Sequence, residues 1–289
     1  MIFRLFPITV LFLVMLAGCE DPITSDYVPE LVVEGFMIAG DKMQPLRIYR
    51  SMPLNDTFSL RAASIPDALV TLLENGIPVD LRFIDDSIGI GYVPTDTSFR
   101  VKYSATYQLT VRALGKTATA TAVTQKPFQW IRKPVDTLQY PGRDKELIPA
   151  DSLSISWQGQ PGTELYVIGM ECLDTAGYGK YLVPPIADSN SRIRDKEFDS
   201  DSPIANETVR YGPVPVANSA VIWAAFKWYG KHRIKVYCGD RWFQKWFQAV
   251  GFGRRSEYDY RLSNVEGGLG TFSGASYISA EIFLKKEAR

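Results

Sequence analysis

The chain has 289 residues, and its 32 Lys and Arg residues equal its 32 Asp and Glu residues, so it carries no formal net charge at neutral pH. This balance argues against a strongly basic surface of the kind that binds nucleic acid through its phosphates. A chain of this length forms one large or two ordinary domains, and 18 prolines, 22 glycines and an aromatic content of 12% favour short strands joined by turns.

The N-terminal segment, residues 1–18, is predicted to be a lipoprotein signal peptide. One early arginine precedes an apolar run over residues 5–16, which is too short for a membrane-spanning helix of about 20 residues. Ala17 and Gly18 stand directly before Cys19, and bacterial lipoproteins are cleaved and acylated at this pattern of small residues and cysteine. We therefore expect lipidation at Cys19. The alternative is a simple signal peptide followed by an unrelated cysteine.

Residues 19–28 are predicted to be a polar tether between the lipid and the folded body. Glu20 and Asp21 follow the cysteine directly, and an acidic segment at this place marks surface export in some bacteria. One acyl chain gives only marginal attachment, so stable anchoring requires several chains. The sequence leaves open whether the body faces the periplasm or the cell surface.

Residues 29–127 are predicted to form an N-terminal β-sandwich of immunoglobulin-like or transthyretin-like type. Stretches rich in β-branched residues alternate with turns, which is typical of the short strands in such sandwiches. Asn75-Gly76 separates two of these stretches and favours a type I′ turn, because both residues tolerate positive φ. Gly115-Lys116 predicts a second hairpin.

Residues 128–150 are predicted to be a linker, because prolines and a charged tetrapeptide punctuate this stretch. A C-terminal β-rich domain is expected over residues 151–289. Within it, residues 221–229 and 232–238 are predicted to pair as a hairpin across a Gly-Lys turn.

One helix is predicted, over residues 241–250. Asp240 precedes it, and the Asp240 carboxylate can accept the free amide hydrogens of the first turn. Trp242 and Trp246 are four residues apart, which predicts an apolar face that packs on a sheet. The predicted fold class is therefore mainly β, with two β-sandwich-like domains, the second of which contains one short helix.

Two cysteines remain in the body, and each is expected on the apolar side of a strand. In an oxidising compartment Cys172 and Cys238 could form a disulfide if their Cα atoms lie within about 7 Å. Two buried thiols are the alternative.

Aromatic side chains are concentrated in the C-terminal part of the chain. Trp228, Trp242 and Trp246 could form a stacking platform for sugars or a contact patch for a protein. Packing of the helix on its hairpin is the alternative for most of these rings.

No pattern in the sequence predicts a catalytic, metal or cofactor site. The single histidine, His232, falls with Ile234 and Val236 on the apolar side of a predicted strand, which favours a buried histidine over a general base. The Gly-Thr-Phe-Ser-Gly segment at residues 270–274 has the wrong spacing for a serine nucleophile elbow. One histidine and two cysteines on separate strands offer no zinc-ligand spacing. We therefore expect a protein that is not an enzyme and uses no cofactor.

Three segments that follow Cys19 resemble a known family. They are Tyr-Val-Pro-Glu-Leu-Val-Val-Glu-Gly at residues 27–35, Ile-Pro-Asp-Ala-Leu-Val at residues 65–70, and the segment from Ser263 to Phe272. With these segments the chain resembles, over nearly its whole mature length, the Bacteroidetes outer-membrane lipoprotein family called domain of unknown function 4249. The resemblance implies an outer-membrane lipoprotein, often encoded beside TonB-dependent transporters, and it supplies no active site.

The expected function is that of a non-enzymatic, outer-membrane-anchored lipoprotein that serves as an accessory or binding component of a TonB-dependent transport system. Its expected partners are the membrane, through the N-terminal lipid, and an outer-membrane transporter, whereas nucleic acid is not expected. The alternative is a surface lipoprotein that captures carbohydrate or peptide with its aromatic C-terminal domain. An enzyme of another type would need a pocket that gathers carboxylates from several strands.

Overall fold

The computed structural model describes residues 27–286 with the exception of residues 54, 142–149, 194–207 and 251–262. The predicted signal peptide, Cys19 and most of the tether lie outside the described residues. The described part of the chain is mainly β, as predicted.

The described residues form sixteen β-strands and two α-helices, besides short 3-10 helices. The strands are β1 (Leu31–Ile38), β2 (Arg47–Arg50), β3 (Leu69–Glu74), β4 (Ile77–Val79), β5 (Leu81–Asp86), β6 (Gly89–Pro94), β7 (Thr106–Ala113), β8 (Lys116–Val123), β9 (Trp130–Arg132), β10 (Thr137–Gln139), β11 (Ser154–Trp157), β12 (Tyr166–Cys172), β13 (Thr208–Val214), β14 (Asn218–Ala220), β15 (Gly230–Gly239) and β16 (Leu269–Lys285). The helices are α1 (Leu60–Ala63) and α2 (Arg241–Val250).

One large sheet organises the fold. Six of its strands lie in the order β13-β12-β15-β16-β1-β2, and β10 pairs with the C-terminal end of β16. Strand β16 is 17 residues long, so it can pair with β1 along its first half and with β15 along its second half. This one strand therefore connects the two ends of the sheet.

Strand β1 lies parallel to β16, with residues paired from Val32 opposite Leu269 to Ile38 opposite Ala275. This pairing joins the start of the predicted N-terminal domain to the end of the predicted C-terminal domain. Strands β9 and β10 lie within residues 128–150, the segment predicted to be a linker. The domain boundaries stay a prediction, and one sheet runs across them.

A glycine permits the close approach of β1 and β16. Gly270 has a φ of +114°, and a Cβ atom there would lie 1.9 Å from the carbonyl oxygen of Val33. Any other residue at this position would therefore push the two strands apart.

The side chain of Asn264 bonds to the edge of β16. It donates to the Phe272 carbonyl at 2.6 Å and accepts from the Phe272 N–H at 2.8 Å. The Asn264 side chain thus supplies to Phe272 the donor and the acceptor that a neighbouring strand would otherwise supply.

Two tight turns depend on residues with positive φ. Asn75 and Gly76 have φ values of +50° and +84° and join β3 to β4, which confirms the predicted hairpin. Leu114 and Gly115, with φ values of +54° and +70°, join β7 to β8. The sequence predicts this second turn one residue later, whereas in the structure Lys116 already belongs to β8.

Two large hydrophobic cores lie between sheets. The first core packs the β1-β2 part of the large sheet with the four-stranded sheet β4-β3-β7-β8. The second core packs the β12-β15-β16 part with the three-stranded sheet β14-β11-β9. Sheets that share a core in this way give each half of the fold a sandwich-like arrangement. Fully buried side chains include Leu31, Ile48, Leu72, Leu109 and Phe272 in the first core, and Ile155, Trp157, Ile168, Phe226 and Ile234 in the second.

The predicted hairpin of residues 221–229 with residues 232–238 is wrong in its first half. Trp223–Ala225 forms a 3-10 helix instead of a strand. Ala225 and Phe226 are both buried, whereas neighbouring side chains in a strand point to opposite faces. The second half is confirmed as β15, which has alternate buried residues and pairs with β12 and β16.

Asp240 caps α2 and links the start of this helix to two sheets through hydrogen bonds. Its Oδ1 accepts the backbone N–H groups of Trp242 at 3.0 Å and Phe243 at 2.9 Å, which confirms the predicted N-cap. Its Oδ2 accepts the N–H groups of Gly274 in β16 at 2.8 Å and Val123 in β8 at 3.2 Å. Burial raises the pKa of Asp240, while these four donors favour its charged form.

Candidate binding cleft

A cleft with a volume of about 1120 Å³ lies at the end of the large sheet where β10, β15 and β16 meet. Its floor is the outer face of the sheet, where Thr137, Gln139 and Phe283 alternate with buried core residues such as Leu284. Its wall is formed by the loop of residues 178–188, which follows β12. We call this site the loop cleft.

Asp174 stabilises the backbone turn that leads from β12 into this loop. Its Oδ1 accepts the backbone N–H of Gly177 at 2.7 Å. Its Oδ2 accepts the Tyr181 hydroxyl at 2.8 Å and pairs with Lys180 Nζ at 2.6 Å. The hydrogen bond from Lys180, followed by those from Gly177 and Tyr181, holds the pKa of Asp174 well below its usual range. The carboxylate therefore stays charged at neutral pH and fixes the turn from which the wall starts.

The wall presents an apolar run to solvent. Residues 181–186 read Tyr-Leu-Val-Pro-Pro-Ile, and the exposed fraction reaches 98% for Val183, 52% for Ile186 and 38% for Tyr181. Two consecutive prolines keep this run out of a strand ladder, because proline has no backbone N–H to donate. The cleft thus combines an exposed apolar wall with a polar floor.

The aromatic rings of the cleft are engaged within the protein. Phe283 packs against Tyr178, with ring centroids 5.4 Å apart, and against Tyr181 at 6.2 Å. The ammonium groups of Lys180 and Lys231 lie 4.9 Å and 5.9 Å from the centroid of the Tyr181 ring. These contacts orient the rings and occupy part of the surface on which a ligand could stack.

Four of the six charged side chains that line the cleft form salt bridges. Lys286 Nζ lies 2.9 Å from each carboxylate oxygen of Asp188. Glu281 pairs with Lys231 at 2.8 Å and with Arg233 at 3.2 Å, and these two cations lower the pKa of its carboxyl. The lining is formally neutral, because it holds three acidic and three basic side chains: Asp136, Asp188, Glu281, Lys231, Lys285 and Lys286.

The three tryptophans predicted as a binding patch lie in separate settings. Trp228 packs under the guanidinium of Arg192, 4.8 Å from the ring centroid. Trp242 borders a groove beside β7 and β8, whereas Trp246 packs on Phe36 at 4.6 Å and lines a different cavity. None of the three is among the described residues that line the loop cleft.

The disulfide between Cys172 and Cys238 is not formed, and both side chains are buried thiols. Across β12 and β15, Cys172 lies opposite His232, whereas Cys238 lies opposite Tyr166. The two cysteines are therefore at opposite ends of the strand pair, about 20 Å apart at roughly 3.3 Å per residue, which exceeds the reach of a disulfide. The Cys238 thiol contacts Thr163 Oγ1 at 2.9 Å, and burial raises the pKa of Cys238 to about 11.

His232 is buried, as its place in the strand pattern predicts. Its Nδ1 lies 2.9 Å from the carbonyl oxygen of Gly230, which places the proton on Nδ1, and the Phe226 ring packs against it at 4.9 Å. Its Nε2 has no hydrogen-bond partner among the described residues. Burial lowers the pKa of His232 to about 4, so the ring is neutral at neutral pH.

Metal ligands are not clustered in the described residues, where no group of three or more His, Cys, Asp or Glu side chains is placed to hold an ion. Of the helices that the structure describes, none combines the length and the apolar character that crossing a membrane requires.

The residues of the loop cleft are absent from the sites predicted from sequence. One signal was present: six consecutive apolar residues at 181–186 that include two prolines. A buried strand tolerates no such proline pair, so the run had to lie on a surface loop. Phe283 carried no comparable signal, because its pairing with Tyr178 and Tyr181 depends on contacts distant in sequence.

One protein family matches this sequence. The match covers residues 20–241, which is most of the chain, and the family is described as a domain of unknown function. No curated protein matches the chain. The chain therefore belongs to the family Domain of unknown function (DUF4249).

Proposed function

We propose that this chain is a non-enzymatic lipoprotein, anchored to the outer membrane by lipid on Cys19, that acts as an accessory or binding component of a TonB-dependent transport system. The observation that carries the proposal is the Leu-Ala-Gly-Cys sequence at residues 16–19, which closes a short apolar segment. The family match begins at residue 20, directly after this cysteine. Cleavage before Cys19 would leave the family region next to the lipid.

In the proposed role the loop cleft would lie away from the bilayer. Strand β1 begins at Leu31, and its second residue, Val32, is paired with Leu269 at the start of β16. The cleft surrounds Phe283, near the other end of β16. An extended strand between these two positions of β16 measures up to about 45 Å. A tether that joins the body at Leu31 would therefore point the cleft outward.

The role beside a transporter rests on the family resemblance, which implies genes next to those of TonB-dependent transporters. The non-enzymatic character is supported by His232, because a buried imidazole with a pKa of about 4 carries protons poorly at neutral pH. Of the three carboxylates that line the cleft, those of Asp188 and Glu281 are paired with cations, which argues against either acting as a free general base.

The anchor is tested by replacing Cys19 with Ser. The variant lacks the sulfur that receives lipid, so we expect it to leave the membrane fraction or to be mislocalised, as measured by cell fractionation and immunodetection. Ser25→Ala, a small change in the same tether, serves as the control and should fractionate like the wild type. Recovery of Cys19→Ser in the outer-membrane fraction in the wild-type amount would contradict the anchor.

The partner is tested by affinity capture of the native lipoprotein from solubilised outer membranes. The accessory role predicts that a TonB-dependent transporter is recovered in stable proportion. Recovery of carbohydrate or peptide without any transporter would contradict this role and favour the second function.

That second function is capture of carbohydrate or peptide, and the loop cleft is the observation that favours it. The cleft presents the exposed side chains of Tyr181, Val183 and Ile186 beside a polar floor. Surface clefts that combine an apolar wall with a few polar groups are typical of ligand sites. The proposed site of capture is therefore this cleft instead of the surface around Trp228, Trp242 and Trp246.

A further inference from the structure

We propose that the loop cleft binds an extended peptide segment of low net charge that carries apolar side chains. The inference rests on the capture function and adds to it the class of ligand. The ligand's apolar side chains pack on the wall formed by residues 181–186, and its backbone lies along the floor of the sheet.

The wall is the first reason for this ligand. Val183 and Ile186 expose 98% and 52% of their surface, within six consecutive apolar residues. Single exposed apolar residues are common, but a contiguous exposed run marks an interaction site. Aliphatic side chains gain most by burial against other apolar groups, which peptides supply and sugars largely lack.

The state of the aromatic rings argues against a sugar. Sugars stack on open aromatic faces, whereas Phe283 packs on Tyr178 and Tyr181. The Tyr181 ring has Lys180 and Lys231 above it, and its hydroxyl already donates to Asp174. A pyranose ring would have to displace these partners.

The charges of the cleft favour a ligand without net charge. Three acidic and three basic side chains line it, and salt bridges join Lys286 to Asp188 and Lys231 to Glu281. A strongly charged ligand would meet as many like charges as opposite ones, and it could engage four of the six charged groups only by breaking these pairs. A neutral segment leaves them intact.

The floor suits a peptide backbone. Thr137, Gln139 and Lys285 are exposed there. Thr137 presents a hydroxyl and Lys285 an ammonium group, whereas the Gln139 side chain donates to the Lys286 carbonyl and keeps its oxygen as an acceptor. Each residue of an extended peptide carries one N–H and one C=O that require partners. The volume of about 1120 Å³ lies above the range of roughly 300–1,000 Å³ typical of small-molecule pockets, so the cleft has room for several residues.

The test uses the lipidated full-length mature protein in detergent micelles and measures fluorescence anisotropy, with empty micelles as the blank. The probe is a labelled, end-blocked octapeptide of alternating valine and serine. We expect saturable binding, and at least tenfold weaker binding when lysine or glutamate replaces valine in the probe. The double variant Val183→Ser, Ile186→Ser should also bind the probe at least tenfold more weakly. The matched control is Ile131→Ser, because Ile131 is 72% exposed and outside the cleft lining.

Three outcomes would overturn the inference. Unchanged binding by the Val183→Ser, Ile186→Ser variant would show that the wall does not hold the peptide. Binding of maltoheptaose, a neutral glycan, without binding of the peptide would reject the ligand class but retain capture. Binding of neither probe would reject the inference, whereas the lipid anchor would still be judged separately by the fractionation of Cys19→Ser.

Discussion

Asp240 provides the sharpest test of how the fold is held together. Its carboxylate accepts four backbone hydrogen bonds, two from the first turn of α2 and one each from Gly274 and Val123. Asp240→Ala removes all four acceptor contacts. Asp240→Asn keeps a side-chain oxygen for the cap but turns an NH₂ group, which is a donor, toward the other two N–H groups.

The expected loss of stability follows from these contacts. Losing an N-cap costs about 1 kcal/mol. The N–H of buried Gly274 would lose its acceptor, at a cost of about 1–3 kcal/mol, whereas the N–H of exposed Val123 can bond to water. We therefore expect Asp240→Ala to lower the free energy of unfolding by about 2–4 kcal/mol, and Asp240→Asn by about 1 kcal/mol less.

Urea unfolding followed by circular dichroism measures both losses. Asp56→Ala is the control, because Asp56 is exposed and surface changes of this kind usually stay within about 0.5 kcal/mol. If both Asp240 variants unfolded at the urea concentration of the wild type, the bridging role of this carboxylate would be refuted.

Three further predictions follow from buried or strained residues. Folding lowers the pKa of His232 from 6.5 to about 4. Between pH 6.5 and pH 4 the unfolded chain therefore binds a proton on this ring that the folded chain does not. The free energy of unfolding should fall by up to about 3 kcal/mol as the pH drops from 6.5 to 4. His232→Gln should flatten this part of the pH profile of urea unfolding, and an equal slope in both proteins would contradict the buried neutral ring. Gly270→Ala should lower the free energy of unfolding by about 3 kcal/mol, because both its positive φ and the backbone oxygen of β1 oppose a Cβ atom. The control is Gly162→Ala, at a φ of +77° with open space around it, which should lose about 1–2 kcal/mol less in the same unfolding assay. Equal losses would refute the steric argument. In denaturant without reductant, Cys172 and Cys238 should both react with a thiol reagent, whereas a disulfide would leave neither reactive.

Features that depend on neighbouring residues were predictable from sequence. The Asn75-Gly76 turn and the Asp240 cap involve residues a few positions apart, and in both the chemistry of one or two side chains decides the backbone conformation. The alternation of buried residues in β15 is also local. These features are therefore present in the structure as predicted.

Pairings between distant parts of the chain were not predictable in the same way. Residues 267–270 contain three glycines, a composition typical of a turn, yet Gly270 lies in β16 because β1 passes so close that no side chain fits. Phe226 likewise lies in a segment with strand-like composition, but its burial next to Ala225 requires a 3-10 helix before it.

The candidate site was missed for a related reason. Tryptophans are candidates for ligand binding because large aromatic rings often stack on ligands. In the structure, however, Trp246 packs against Phe36 and Trp228 packs against the guanidinium of Arg192. The loop cleft depends instead on where Asp174 turns the chain and on which side chains of β16 face that turn. Neither can be read from residue types alone.

We propose that lipid on Cys19 holds this β-rich body at the membrane. Mass spectrometry of the N-terminal peptide from the protein purified out of membranes tests it most directly. We expect a mature chain that begins at Cys19 and carries the added mass of several acyl chains. A chain that begins at Met1, or a Cys19 without acyl groups, would contradict it.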